Sequence, residues 1–284
     1  MPAPYLALSI LCVGAVALYG VGVRRYDAAH RRRPFPRWRA AAFAAGVLVL
    51  WAALTPLMDA YANTRFAVHM VQHLTLMLVA APLLVLGTPL LIARIVGPAA
   101  LRRALSRAAH HPVAQALQFP VLAWAAFLAV LWGSHYSALY EAALERPGVH
   151  VLEHWLYLGT AVLFWMPVAA AEPSRWRMNH PLRLLYLVMA GPPSVFLALS
   201  LYQSTQILYP HYEVANLLAG RSPLADQRAG GAVMWILGGV PLLVAMIAVA
   251  GSWARHDARV AKRLDARLDA PPSWDGPSSS SRTT

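Results

Sequence analysis

The sequence predicts an all-α fold, a polytopic membrane bundle of about seven transmembrane helices with its N-terminus outside and its C-terminus in the cytoplasm. Three observations predict it. Of 284 residues, 58% are hydrophobic and only 13% are charged, against about 45–50% and about 25% in average soluble chains. Seven apolar stretches are each long enough to cross a bilayer, which takes roughly 20 residues for about 30 Å of hydrocarbon. The basic residues rise and fall in density from one connecting loop to the next.

The stretches run approximately from Tyr5 to Val23, Ala40 to Met58, Phe66 to Ile92, Val113 to Gly133, Val149 to Ala170, Leu182 to Tyr202, and Ala229 to Trp253. None carries Lys or Arg in its middle. In lipid each must be a helix, because only a helix satisfies its own backbone hydrogen bonds. Pro82, Pro89 and Pro192-Pro193 predict kinks or breaks, tolerated where neighbouring helices cover the freed carbonyls. The first stretch lacks a basic segment ahead of it, and its arginines follow it; it reads as an uncleaved span rather than a signal peptide.

Cations set the orientation. Arg24, Arg25, Arg31, Arg32, Arg33, Arg37 and Arg39 fill the first loop; Arg94, Arg102, Arg103 and Arg107 fill the third. Arg175, Arg177 and Arg183 surround the fifth, and Arg255, Arg259, Lys262, Arg263, Arg267 and Arg282 lie in the tail. Only Arg65, Arg146, Arg221 and Arg228 fall on the other side, so 20 of the 24 cations share one face. An excess of Lys and Arg marks the cytoplasm. The net charge of +12 therefore reports topology and contact with anionic lipid at the cytoplasmic face, and a nucleic-acid partner is excluded, since that needs a basic soluble surface. The single cysteine, Cys12, excludes a disulfide scaffold. Residues 1–256 read as one transmembrane domain. Residues 257–284 read as a cytoplasmic, largely disordered tail, because PPSWDGPSSSSRTT is apolar-poor.

Sorting the 11 histidines by side gives the candidate site. His30, His110, His111, His180 and His256 fall in Arg-rich loops and read as solvated. His69, His73, His135, His150, His154 and His211 fall at or near the outer face. His69-Met-Val-Gln-His73 opens the third span and His150-Val-Leu-Glu-His154 opens the fifth. Each i,i+4 pair sets both imidazoles on one helical face, and both helices run inward, so the pairs lie at similar depth. Four neutral nitrogens brought together suit copper or another transition ion. Independent anchoring of each histidine in the interface is the plainer alternative. Position 70 is Met and position 151 is Val, so neither pair reads as the zinc-protease motif. Gln72 and Glu153 stand as partners that fix a histidine tautomer or as headgroup contacts. His135 and Asp226 are further candidate ligands. Met70 and Met234 offer thioethers suited to Cu(I), with packing as their plainer reading. Gly230-Gly231 and Gly238-Gly239 read as sites of close helix packing. There is no nucleophile–base pair, P-loop or dinucleotide fingerprint, so no enzymatic activity is expected. A b-type haem electron carrier, a metal transporter and a purely structural partner are the alternatives.

Several stretches occur together: His69-Met-Val-Gln-His73-Leu-Thr-Leu-Met with Ala81-Pro82-Leu-Leu-Val-Leu-Gly87-Thr-Pro89; His150-Val-Leu-Glu-His154 with Phe164-Trp165-Met-Pro167; and Leu208-Tyr209-Pro210-His-Tyr212 with Asp226-Gln227-Arg228-Ala-Gly230 and Met234-Trp235. In these the chain resembles the multi-span CtaG-like family of cytochrome c oxidase assembly proteins, which is distinct from the single-span copper chaperone sharing that name. The resemblance covers about Ala40 to Trp253. It implies a bacterial inner-membrane factor needed to form active haem–copper oxidase, with oxidase subunits as partners. The family's outer-face histidines match His69, His73, His150 and His154. A copper role would fit, because oxidase copper centres lie on or near the outer side; copper delivery, haem handling and scaffolding all stay open.

The cation split makes the orientation testable. Reporter fusions after Arg107 and Arg267 are expected to report cytoplasm, and fusions after Tyr140 and Tyr212 the outside. A tail fusion active outside the cytoplasm contradicts this arrangement.

Overall fold

A computed structural model describes residues 3–169 and 176–269. Among these residues every regular element is helical. Arg175 and the Pro- and Ser-rich end of the chain lie outside them. Five helical stretches are long and apolar enough to cross a membrane, and up to seven if each of two bent pairs counts as one span.

The first unit packs α1 (Ala3–Ala29) on α2 (Arg37–Ala53). Tyr19, Val23, Phe35, Phe43, Val47 and Ile92 form its apolar cluster. Tyr19 stacks on Phe43 at 4.0 Å and donates its hydroxyl to the Gly87 carbonyl at 2.6 Å. A Cβ on Gly87 would sit 2.6 Å from that of Phe43, so only glycine admits this approach. The second expected span is bent: α2 gives way to α3 (Pro56–Ala62) at 52°. Thr55 caps α3, accepting from the Met58 amide, and Pro56 takes the first helical position, where a missing N–H is harmless.

The third span is broken into α4 (Phe66–Thr75), a π-helical turn (Leu76–Ala80), α5 (Ala81–Leu86) and α6 (Pro89–Val96). The break at Thr88 has a cause. Pro89 disfavours the right-handed helical region for the residue before it, and Thr88 leaves the helix there in the left-handed region, φ 51°, ψ 49°, which is uncommon for a β-branched residue. The π turn also has one. Ala81 donates to Leu76, five residues back, and the next donor would be Pro82, which has no N–H. The carbonyl that Pro82 leaves bare is Met77, and the Trp165 indole donates to it at 2.9 Å. An orphaned buried carbonyl costs about 1–3 kcal/mol, so the fifth span completes the third.

Two short helices follow, α7 (Ala99–His110) and α8 (Pro112–Leu117). α7 buries no residue and carries Arg102, Arg103 and Arg107. The fourth span begins later than expected, at Pro120, because Pro120 opens a new helix after Phe119. It is α9 (Pro120–His135), joined to α10 (Ala138–Glu145) through a 69° bend. α11 (Pro147–Ala169) and α12 (His180–Gln203) are the fifth and sixth spans.

α13 (Pro210–Leu218) is a short helix between spans, and α14 (Pro223–Leu268) runs 46 residues, about 69 Å at 1.5 Å per residue. It is far longer than the seventh apolar stretch, and its last turns cover residues expected to be tail. α12 packs along α14 at backbone distance: a Cβ on Gly231 would lie 2.7 Å from the Tyr202 amide nitrogen and 2.8 Å from the Ala198 carbonyl oxygen. Gly239 meets nothing within 4 Å, so the close packing expected of both glycine pairs is made by the first. The core joins α4, α9, α11, α12 and α14 around Phe127, Phe164, Leu187 and Leu197. The outward faces of α1 and α14 are apolar instead, with Leu11, Leu18, Ile236, Val244 and Ile247 exposed, as a lipid-facing surface requires.

Candidate metal centre

The two histidine pairs meet in the space between α4 and α11, side chain to side chain. His69 and His73 stand edge to face with centroids 4.2 Å apart, and His150 and His154 are also 4.2 Å apart. Across the helices, His69 lies 5.4 Å from His150 and His73 lies 5.4 Å from His154. His69, Gln72 and Glu153 are fully buried.

One residue was underrated by the sequence reading. Glu153, expected as a tautomer-fixing partner or a headgroup contact, points inward. Ligand atoms of His69, His73, His150 and Glu153 all lie within 4.8 Å of one another. The signal was the i,i+3 spacing of His150 and Glu153, which shares a helical face as surely as i,i+4 does. His154 adjoins this group but is not one of its four members.

The hydrogen bonds fix the tautomer of His69. Tyr212 Oη lies 2.8 Å from the Ala62 carbonyl and 2.8 Å from His69 Nδ1. The carbonyl can only accept, so the phenol donates to it and accepts from His69 Nδ1–H. Burial raises the Tyr212 phenol well above its usual range, which keeps that proton in place. The tautomer assigned this way turns the His69 Nε2 lone pair inward. That Nε2 lies 2.9 Å from His73 Nε2 and accepts its N–H; with that proton removed the two nitrogens stand about as far apart as neighbouring ligands each about 2.0–2.1 Å from a common ion. His150 Nε2, His154 Nε2, His73 Nδ1 and both Glu153 oxygens are buried without a hydrogen-bond partner; the nearest cationic candidate to Glu153 is His73 Nε2, at 3.9 Å. Unpaired buried polar atoms are costly, and a cation among these donors removes that cost. By donor chemistry the group fits a transition ion.

Gln72 lies outside this arrangement. Its amide donates to the Ala53 carbonyl at 2.8 Å and to Asp59 Oδ1 at 2.6 Å, tying α4 to the α2–α3 bend. His135 lies one ring away: Tyr140 sits between it and His69, with centroids 5.6 Å and 5.2 Å distant. Asp226 does something other than ligation. Its carboxylate accepts from the Phe66 amide at 2.7 Å, the Ala67 amide at 3.3 Å and the Asn216 side chain at 3.0 Å. It is an N-cap for α4 delivered from α14, where a negative charge meets the positive end of the helix dipole. His69 follows within the next turn, so Asp226 holds the site in register without touching it.

α13 and α10 lie over the site. Phe66 stacks on Tyr209 at 4.8 Å, and Tyr209 meets Tyr140 at 4.5 Å. The His211 amide donates to Glu141 at 2.8 Å, and Arg221 donates to the Thr64 carbonyl at 3.0 Å. The long-range bonds of Tyr212 and Asp226 could not be seen in local spacing.

Fold and site together define a polytopic membrane protein with a buried histidine–carboxylate group at one end of its bundle. The chain belongs to the cytochrome c oxidase caa3 assembly factor family (Caa3_CtaG), whose model matches residues 17–256. It is 29% identical over 272 residues to uncharacterized proteins of Mycobacterium bovis and Mycobacterium tuberculosis, and 27% identical over 272 residues to one of Mycobacterium leprae. These alignments take in 92% of this chain but only 40–41% of the relatives, so the chain spans about two fifths of their length. No solved structure matches it.

The cap separates support from ligation. Asp226→Ala is expected to destabilise the protein by about 1–2 kcal/mol, the usual range for a lost N-cap, while metal stoichiometry measured on the folded protein stays at the wild-type value. Loss of metal with unchanged thermal stability contradicts the capping assignment.

Proposed function

We propose that this protein is an assembly factor for cytochrome c oxidase in the bacterial inner membrane, acting in copper-centre maturation at the outer face. His69, His73, His150 and Glu153 hold the copper ion as cargo, and His154 stands beside them as a further nitrogen donor. Oxidase subunits are the partners that receive it. The cytoplasmic arginines, those of α7 among them, meet anionic lipid headgroups. The protein binds and hands over; it turns over no substrate of its own.

The observation that carries this reading is the convergence of three imidazoles and an unpaired, fully buried carboxylate in a member of an oxidase assembly family. The family supplies the destination, and the donor set supplies the chemistry. A b-type haem carrier fits less well, because a macrocycle needs a flat slot between its axial histidines. Here His73 packs edge to face on both His69 and His154, at 87° each.

The test is a deletion strain complemented with variants. Loss of the protein is expected to lower assembled, active haem–copper oxidase, with growth sustained where another terminal oxidase exists. A His69→Ala, His150→Ala, Glu153→Gln triple variant is expected to reach the membrane yet lose copper and fail to complement. Its affinity should fall by more than the roughly 10–100-fold seen when only an outer partner of a ligand is lost. Full complementation by that variant contradicts the proposal, as does normal oxidase activity in the deletion strain.

A further inference from the structure

His135 and Met70 carry a chemistry that the four-residue group does not use. His135 is buried at the end of α9, and Met70 is buried beside His69 on α4. His135 Nδ1 lies 2.7 Å from the Leu131 carbonyl oxygen and 3.2 Å from Ser134 Oγ. The 2.7 Å contact decides the tautomer. A bare Nδ1 lone pair would face a carbonyl lone pair at that distance, so Nδ1 carries the proton and donates it to Leu131. Ser134 Oγ in turn lies 3.1 Å from the same carbonyl and donates there too.

The neutral ring then presents a bare Nε2. It points at Met70 Sδ, 3.5 Å away. Two lone-pair donors, one imidazole and one thioether, thus face each other inside the bundle with no proton between them. Repulsion is relieved if a cation sits against both. With about 2.0 Å to nitrogen and about 2.3 Å to sulfur, a 3.5 Å separation lets both donors reach one ion at roughly the tetrahedral angle. A thioether is a poor ligand for hard or borderline divalent ions and a good one for Cu(I).

We propose that His135 and Met70 form a second station, for a soft monovalent ion, one tyrosine ring from the histidine–glutamate group. Tyr140 is the ring between the two. The two stations differ in donor hardness: three nitrogens and a carboxylate at one, nitrogen and sulfur at the other. The soft station stands on its own geometry and does not require that the neighbouring group binds metal.

The test uses the full chain in detergent, without oxygen, with Ag(I) as a redox-inert stand-in for Cu(I). X-ray absorption at the silver edge is expected to show a sulfur and an imidazole scatterer in the wild type. Met70→Leu keeps the packing volume and is expected to remove the sulfur scatterer and weaken Ag(I) binding at least tenfold. Binding of a divalent ion to the histidine–glutamate group should stay unchanged in that variant. Glu153→Gln should do the reverse, lowering divalent binding while keeping the sulfur signal. His135→Gln is the second probe should Met70→Leu fold poorly, and it is expected to remove the imidazole scatterer. A wild-type spectrum without sulfur overturns the proposal, and so does a sulfur signal that survives Met70→Leu. Failure of divalent binding alone, with the sulfur signal intact, counts against the histidine–glutamate site and leaves the soft station standing.

Discussion

A carboxyl group placed inside a membrane bundle without a hydrogen-bond partner governs this structure. Glu153 is fully buried, and neither of its oxygens has a hydrogen-bond partner. Desolvating a carboxylate costs several kcal/mol even after relaxation, so it must either hold a proton or share its charge with a cation. His69, His73 and His150 place ligand atoms within 4.8 Å of it and of one another, where such a cation would be held. Where α4 faces α11 the two meet through donor side chains, and the apolar core lies further along the same helices.

Holding two helices in that arrangement needs support from outside the pair. Asp226 fixes the start of α4 from α14, and Tyr212 fixes the His69 ring from α13. Gln72 ties the same turn to α2 and α3. Just past His73 the helix widens into a π turn, a feature that recurs at functional sites. Pro82 removes the donor that would close it, and Trp165 from α11 supplies one instead. The helix that brings His150 and Glu153 thus also repairs the helix that brings His69 and His73. Distortion and site share the same two elements.

Much of this was legible in the sequence. Hydropathy located the apolar stretches, because a span needs a fixed length of apolar chain. The i,i+4 histidine pairs were visible because helical periodicity puts such residues on one face. The bends at Thr55 and Thr88 were less legible, since proline marks a break without giving its direction. Glu153 was seen but given a lesser part, because spacing shows a shared face and not which donor turns furthest inward. Asp226 looked like a ligand because an acid near an outer histidine has the same composition as an acid capping a distant helix. Only the three-dimensional path of α14 tells these apart. The length of α14 was hidden for another reason: its last turns are polar, and apolar periodicity carries no signal for a helix leaving the bilayer.

The central claim is that the converging donors of α4 and α11 are a cation site. Diffraction from protein purified from copper-grown cells, collected on both sides of the copper absorption edge, tests it most directly. The account predicts one strong anomalous peak within bonding distance of His69 Nε2, His73 Nε2, a ring nitrogen of His150 and a Glu153 oxygen. A map with no anomalous signal there, and with ordered water bonded to His150 and to a protonated Glu153, would contradict it.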